Sequence, residues 1–245
     1  MTLSDTFIHP EWPAPANVKA LQTTRQGGVS AAPYDTLNLG LHVGDDPVRV
    51  NRNRQLLSPF MPSEPVWLEQ VHGTVVANAD MAGCRVQADA CIARQHGSVC
   101  VIMTADCLPV LLCDEDGSVV GAAHAGWRGL CDGVIEATVK EMGIAPQKLL
   151  AWLGPTIGPH AFEVGEEVRA AFMAHDTQAA AAFIPLAAEG KYRADIVRLA
   201  RQRLNALGIT RIYGGTFCTY HQQDKFYSYR RDGVTGRMGT FIWLS

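Results

Sequence analysis

Between Thr104 and Gly129 the chain reads TADCLPVLLCDEDGSVVGAAHAGWRG. Two apolar runs flank the acidic stretch DEDG, which is the pattern of an antiparallel hairpin over Leu108 to Ala123. Two registers satisfy it. With Glu115 and Asp116 central, position 107 faces 124; with Asp116 and Gly117 central, position 109 faces 124. The side-chain period of a strand is two, so either register puts Cys107 and His124 on one face. As direct or diagonal neighbours their Cβ atoms stand roughly 5 to 8 Å apart. Pro109 cannot donate to a ladder, so this strand is an edge or begins there.

A thiol and an imidazole at that spacing can share a metal ion, and His72 is the best third ligand. It ends the strand-like run EPVWLEQV and is followed by Gly73, which frees the backbone to turn beside a ligand. The other histidines, His9, His42, His96, His160, His175 and His221, lie in loops or helices without a matching strand end. One Cys and two His leave the fourth position of a tetrahedral zinc ion open to water, which marks a catalytic site. Such an ion brings the pKa of that water towards ~7. A metal-free Cys–His nucleophile pair fits the same two residues. Asp106 either orients His124 or is an exposed turn acid.

The remaining composition narrows the class. The chain has 245 residues, 47% of them hydrophobic and 18% charged, with a net charge of −3. That is enough apolar material for a large core, and no basic run points to nucleic acid. The longest apolar run, VCVIMTADCLPVLLC, is interrupted by Asp106 and Pro109 and is not a membrane span. MTLSDTFIHPEW lacks the basic and apolar regions of a secretory signal, so a cytoplasmic location is expected. Seven cysteines without a C-x-x-C spacing make a disulfide framework improbable. Cys91, Cys100, Cys113 and Cys131 read as small buried hydrophobes.

Along the chain, NVKALQTTRQGGVS reads as a strand entering a Gly-Gly turn. Asp46 caps a helix over PVRVNRNRQLLSPF with Pro47 at its first position. GSVCVIMTADC is a strand buried on both faces, and so is LLAWLGPTIG. WRGLCDGVIEATVKEMG places Leu130, Val134, Val139 and Met142 at helical spacing, ended by Gly143. GEEVRAAFMAH and ADIVRLARQRLNALG are amphipathic helices, and the alanines at 179–182 extend a helical stretch. DKFYSYRRDGVTGRMGTFIWLS reads as a hairpin. The fold class is α/β, one domain over 1–245 with mixed β-sheets and without the rhythm of a (β/α)₈ barrel.

Eight blocks in order, TRQGGVS, PYDTLNLGLHVGD, VWLEQVHG, TADCLPVL, HAGWRG, WLGPTIGP, FEVGEEV and YSYRRDGVTGR, resemble the YfiH family. That family is also known as the polyphenol oxidase or laccase-domain family and as the peptidoglycan-editing-factor family. The resemblance runs from about Thr23 to Leu244. It implies a layered α/β/β/α arrangement, similar to the Cys–His domain of a deamidating toxin, and zinc on His72, Cys107 and His124. It further implies phosphorolysis of adenosine, inosine and methylthioadenosine, adenosine deamination, a link to copper-dependent phenol oxidation, and exclusion of L-serine from a cell-wall peptide. Purine nucleosides and phosphate would then be the small-molecule partners of a monomer or homodimer.

The residues weigh these expectations unequally. Deamination suits zinc-activated water with an acidic proton shuttle, for which Asp106 and Glu69 are candidates. Phosphorolysis needs an anion site. Arg25 beside a Gly-rich turn is the first candidate and Arg230 the second, and both equally suit structural roles. Asn38 and Gln70 either bind substrate or satisfy loop backbone. Trp127 either packs under the site to hold His124 or caps the core. A laccase builds its trinuclear copper cluster on paired H-x-H motifs, and the eight histidines here include none; a single Cys–His₂ site could still take copper. A non-catalytic binder of nucleosides or cell-wall precursors, and a metal-free Cys amide hydrolase, are the readings from other classes.

Overall fold

The computed structural model describes residues 2–81 and 86–245. Its strands are β1 (Val18–Gln22), β2 (Val76–Asn78), β3 (Ala90–Ala93), β4 (Val99–Thr104), β5 (Leu108–Asp114), β6 (Val120–Ala125), β7 (Leu149–Leu153), β8 (Glu163–Gly165), β9 (Phe183–Pro185), β10 (Lys191–Ala194), β11 (Arg211–Gly214) and β12 (Met238–Leu244). Its α-helices are α1 (Pro47–Leu57), α2 (Trp127–Asp132), α3 (Val134–Met142), α4 (Glu166–His175), α5 (Ile196–Leu207) and the single turn α6 (Tyr229–Asp232).

The consecutive apolar positions of the central strands have a structural cause. β5 lies inside a six-stranded sheet of order β11-β7-β5-β6-β3-β2. Leu108, Val110 and Leu112 point to one side, into a core with α2 to α5. Leu111 and Cys113 point to the other, against Cys100, Ile102 and Ile242 of a second sheet ordered β1-β12-β4. The far face of that second sheet packs Val99, Val101, Met103 and Phe241 against Leu57 of α1. The layers are therefore α/β/β/α, with mixed parallel and antiparallel pairing. A third sheet, β8-β10-β9, sits beside α4. Each fully buried Leu or Ile stabilises by about 1.5–3 kcal/mol, so changes at the open strand ends leave most of the scaffold's stability in place.

The hairpin takes the second register, with Pro109 opposite His124. β5 begins at Leu108 and is flanked by β6 and β7, so Pro109 marks a strand start and not an edge. Asp46 caps α1 by accepting from the Val48 amide, with Pro47 next. Gly208, at φ 93°, ends α5 as expected. Four elements differ from the sequence reading. The helix after His124 is two helices, broken at Gly133 with φ 98°. The alanines at 179–182 form the end of a 3-10 turn. EPVWLEQVHG makes only isolated bridges, Val66 to Cys100 and Glu69 to Gln87. The last segment is no hairpin: α6 precedes a lone strand that pairs with both β1 and β4. No helix among the described residues is long and apolar enough to cross a membrane.

Candidate metal centre

His124 is the last residue but one of β6, on the face shared with Val120 and Ala122, which looks into the space between the two large sheets. Cys107 immediately precedes β5 on the same face. His72 arrives from a loop, in the left-handed region at φ 63°. The three side chains put Nε2 or Nδ1 and Sγ atoms within 4.8 Å of one another, the one such group found among the described residues. His72 Nε2 and Cys107 Sγ are 3.7 Å apart. An edge of a tetrahedral zinc site with one S and one N ligand is about 3.6 Å, so the His72–Cys107 separation matches such an edge. The glycine of HAGWRG has a matching cause. A Cβ on Gly126 would lie 2.7 Å from His72 Cδ2 and 3.0 Å from Cys107 Sγ.

Two of the three ligands, His72 and His124, are held in place by Asp89, which the sequence reading does not single out. Its side chain is fully buried. Its carboxylate accepts from the amides of Val71 (3.1 Å), His72 (2.9 Å) and Gly73 (2.7 Å) and from His124 Nδ1 (2.8 Å). Its carbonyl accepts from the His124 amide at 2.7 Å. One residue thus shapes the His72 loop and fixes the His124 tautomer, leaving His124 Nε2 free to coordinate. The signal in the sequence was a lone acid inside QADACIA, where burial demands a set of donors.

Burial pushes the Asp89 carboxyl up, but the His124 ring and the Gly73 and Val71 amides reverse it and hold it below the usual carboxylate range. Burial also disfavours the Cys107 thiolate; the charge and hydrogen bonds of His124 and His72 outweigh it, and the thiol pKa falls to about 6. Burial lowers His124, while Cys107 and Asp89 more than compensate and raise it to about 9. Without metal, Cys107 and His124 are a thiolate–imidazolium pair between those values.

The other expected site residues each have hydrogen-bond or packing partners of their own. Asp106, at φ 98°, accepts from Thr219 Oγ1 (2.6 Å) and the Arg230 amide (2.7 Å) and makes no hydrogen bond to His124, whose orienting partner is Asp89. Arg25 donates through Nε to Asp35 O, through Nη1 to Gln223 O and through Nη2 to Asp35 Oδ2. Asn38 is buried among loop contacts to Gly40, Asp45 and Arg237. Gln70 clamps β4, donating to Met103 O and accepting from Met103 N. Arg230 donates to Glu163 O and lines a separate cleft with His160, Arg193 and Tyr220. Trp127 packs at the edge of the helix-side core under the Arg128 guanidinium.

A cleft of about 320 Å³ is lined by Leu41, His42, Arg54, Trp67, Leu68, Glu69 and Met103. Glu69 lies three residues before His72, and Met103 four before Cys107. His42 is depressed by burial and then by the Arg237, Arg54 and His124 charges, so it is neutral at pH 7. Trp67 lies 3.6 Å under the Arg54 guanidinium. From the sequence alone His42 is one of the loop or helix histidines without a matching strand end.

A family model described as multi-copper polyphenol oxidoreductase laccase matches residues 19–245. The chain is 54% identical to a purine nucleoside phosphorylase of Pseudomonas aeruginosa, over 98% of this chain and 99% of that protein. It is 55% identical to purine nucleoside phosphorylase YfiH of Escherichia coli, over 97% and 98%. Among solved structures it superposes on a Neisseria meningitidis protein with a TM-score of 0.93 at 49% identity, covering 98% and 99% of the two chains. YlmD of Geobacillus stearothermophilus gives a TM-score of 0.83 at 30% identity, covering 95% and 93%.

Proposed function

Since this chain belongs to the YfiH family of laccase-domain proteins, we propose that it is a zinc-dependent purine nucleoside phosphorylase with adenosine deaminase as a second activity. The observation that carries the reading is the three-ligand cluster, exposed at His72, together with a cleft of about 320 Å³ lined by residues close to those ligands in the chain, Glu69 and Met103 among them. Relatives more than half identical over nearly the whole chain carry the name purine nucleoside phosphorylase, which supports purine nucleosides as the substrate class; adenosine, inosine and methylthioadenosine are the substrates proposed within it.

His72, Cys107 and His124 would hold the zinc ion, which when bound would supply Lewis acidity and an activated water at neutral pH. Asp89 keeps the His124 proton on Nδ1 and the His72 loop in register. Trp67, Leu41 and Met103 offer an apolar wall to a purine, and neutral His42 a hydrogen-bonding edge. Of the two candidate shuttles, Glu69 suits deamination better. It is exposed on the cleft and its carboxylate has no hydrogen bond among the described residues, whereas both Asp106 oxygens are engaged. Glu69 would carry a proton on a carboxylate oxygen between water and the leaving amine.

A laccase reading lacks the ligands: one Cys–His₂ group among the described residues and no H-x-H pair in the sequence cannot assemble a trinuclear copper cluster. The test is phosphate-dependent release of free base from inosine, and inosine formation from adenosine, in protein of measured metal content. Both activities are expected in the wild type and both are expected to be lost with the metal in His72→Ala. Wild-type rates in a metal-free His72→Ala protein would show the metal to be a passenger.

A further inference from the structure

Phosphorolysis needs a cation for phosphate. Arg25 spends Nε, Nη1 and Nη2 on Asp35 and Gln223, and Arg230, bonded through Nη1 to Glu163 O, lines a cleft that contains none of the three ligands. Arg237 is placed differently. Met238, the first residue of β12, pairs with Thr104, the last of β4, so Arg237 stands beside the turn that carries Asp106 and Cys107. Its amide donates to Asn38 Oδ1 at 2.9 Å, and its Nη1 donates to Thr235 O and Gly236 O, both at 3.0 Å. Nε and Nη2 have no hydrogen-bond partner among the described residues. Gly40 makes room for the stem: a Cβ there would lie 2.9 Å from Arg237 Cγ. The Tyr229 ring flanks the guanidinium at 6.0 Å.

A half-buried guanidinium with one edge fixed and the other edge free is an unfinished ion pair. The free Nε and Nη2 hydrogens form the parallel fork that binds two oxygens of a phosphate. The surroundings agree: Arg237 and Arg54 both act on His42, at the mouth of the cleft beside the metal ligands. Burial lowers the Arg237 pKa while Cys107 and Asp106 oppose the shift, so the guanidinium is charged and close to the cluster.

We propose that Arg237, positioned by Asn38 and Gly40, is the binding residue for inorganic phosphate next to the metal cluster, a role that rests on the phosphorylase reading. The experiment combines ³¹P line-broadening of inorganic phosphate with steady-state kinetics on zinc-loaded wild type, Arg237→Gln and Arg237→Lys. Wild type should broaden the signal. Arg237→Gln should weaken phosphate binding and raise its KM at least tenfold, with unchanged zinc content and nucleoside KM, and Arg237→Lys should recover part of the loss. Unaltered phosphate affinity in a zinc-loaded Arg237→Gln protein overturns the assignment, as does a wild type that does not bind phosphate. Phosphate binding that depends on Arg237 in a protein without phosphorolysis would uphold this site and refute the proposed reaction.

Discussion

At Asp89 one buried carboxylate meets four donors from two segments, three amides of the His72 loop and the His124 ring. Asparagine keeps the shape but removes the charge and turns part of the acceptor into a donor facing N–H groups. Losing such an outer partner typically weakens metal binding 10–100-fold, and an unpaired buried amide costs about 1–3 kcal/mol. Asp89→Asn should therefore bind zinc 10–100-fold more weakly in a chelator competition and melt at a lower temperature; wild-type affinity would remove Asp89 from its orienting role. The thiol offers a second measurement. With a pKa lowered to about 6, Cys107 in metal-free protein is a thiolate above that pH and a thiol below it. Iodoacetamide labelling of the Cys107 peptide should rise with pH to half its maximum near 6. A midpoint near the unperturbed 9.0 would contradict the pairing with His124.

Secondary elements show where the sequence was readable. The β5–β6 hairpin was, because DEDG sits between apolar runs and period two then forces Cys107 and His124 onto one face whatever the register. α1 was, through Asp46 and Pro47. The C-terminal segment was not: β12 gains its partners from β1, more than two hundred residues earlier, and from β4, and no local pattern encodes that pairing. The break at Gly133 was also hidden, since Leu130, Val134, Val139 and Met142 keep helical spacing across it. Two glycines test this level. At Gly133 a Cβ has room, its nearest neighbour 3.5 Å away, and only the positive φ opposes it. Gly133→Ala should cost about 1–2 kcal/mol in denaturant unfolding and leave zinc affinity alone. At Gly126 the obstacle is the ligands themselves, so Gly126→Ala should lose zinc affinity by more than it loses stability. Equal zinc binding in the two variants would mean that the close approach at Gly126 is not needed for the site.

Across the whole molecule, the site lies where two sheets and one long loop meet. Buried strands and an alternating order of elements made the α/β class legible from composition and pattern. The role of Asp89 and the free edge of Arg237 were not legible, because each depends on which distant strands the layers bring together. That arrangement has a thermodynamic consequence. An ion bridging the His72 loop, the start of β5 and the end of β6 binds a geometry the unfolded chain lacks, so it stabilises the fold by RT ln(1 + [metal]/Kd), about 2.7 kcal/mol at a hundredfold excess over Kd. For a domain of this size each kcal/mol moves Tm by roughly 2–4 °C. Chelation should therefore lower Tm by roughly 5–10 °C relative to protein in such an excess of zinc, and added zinc should restore it. If one pocket serves both proposed activities, phosphorolysis and deamination should vanish and return together with the shift. Cys107→Ala should fold, melt at one temperature with or without zinc, and lack both activities. A zinc-dependent Tm that persists in Cys107→Ala would place the stabilising ion at some other set of ligands and would separate the metal from this site.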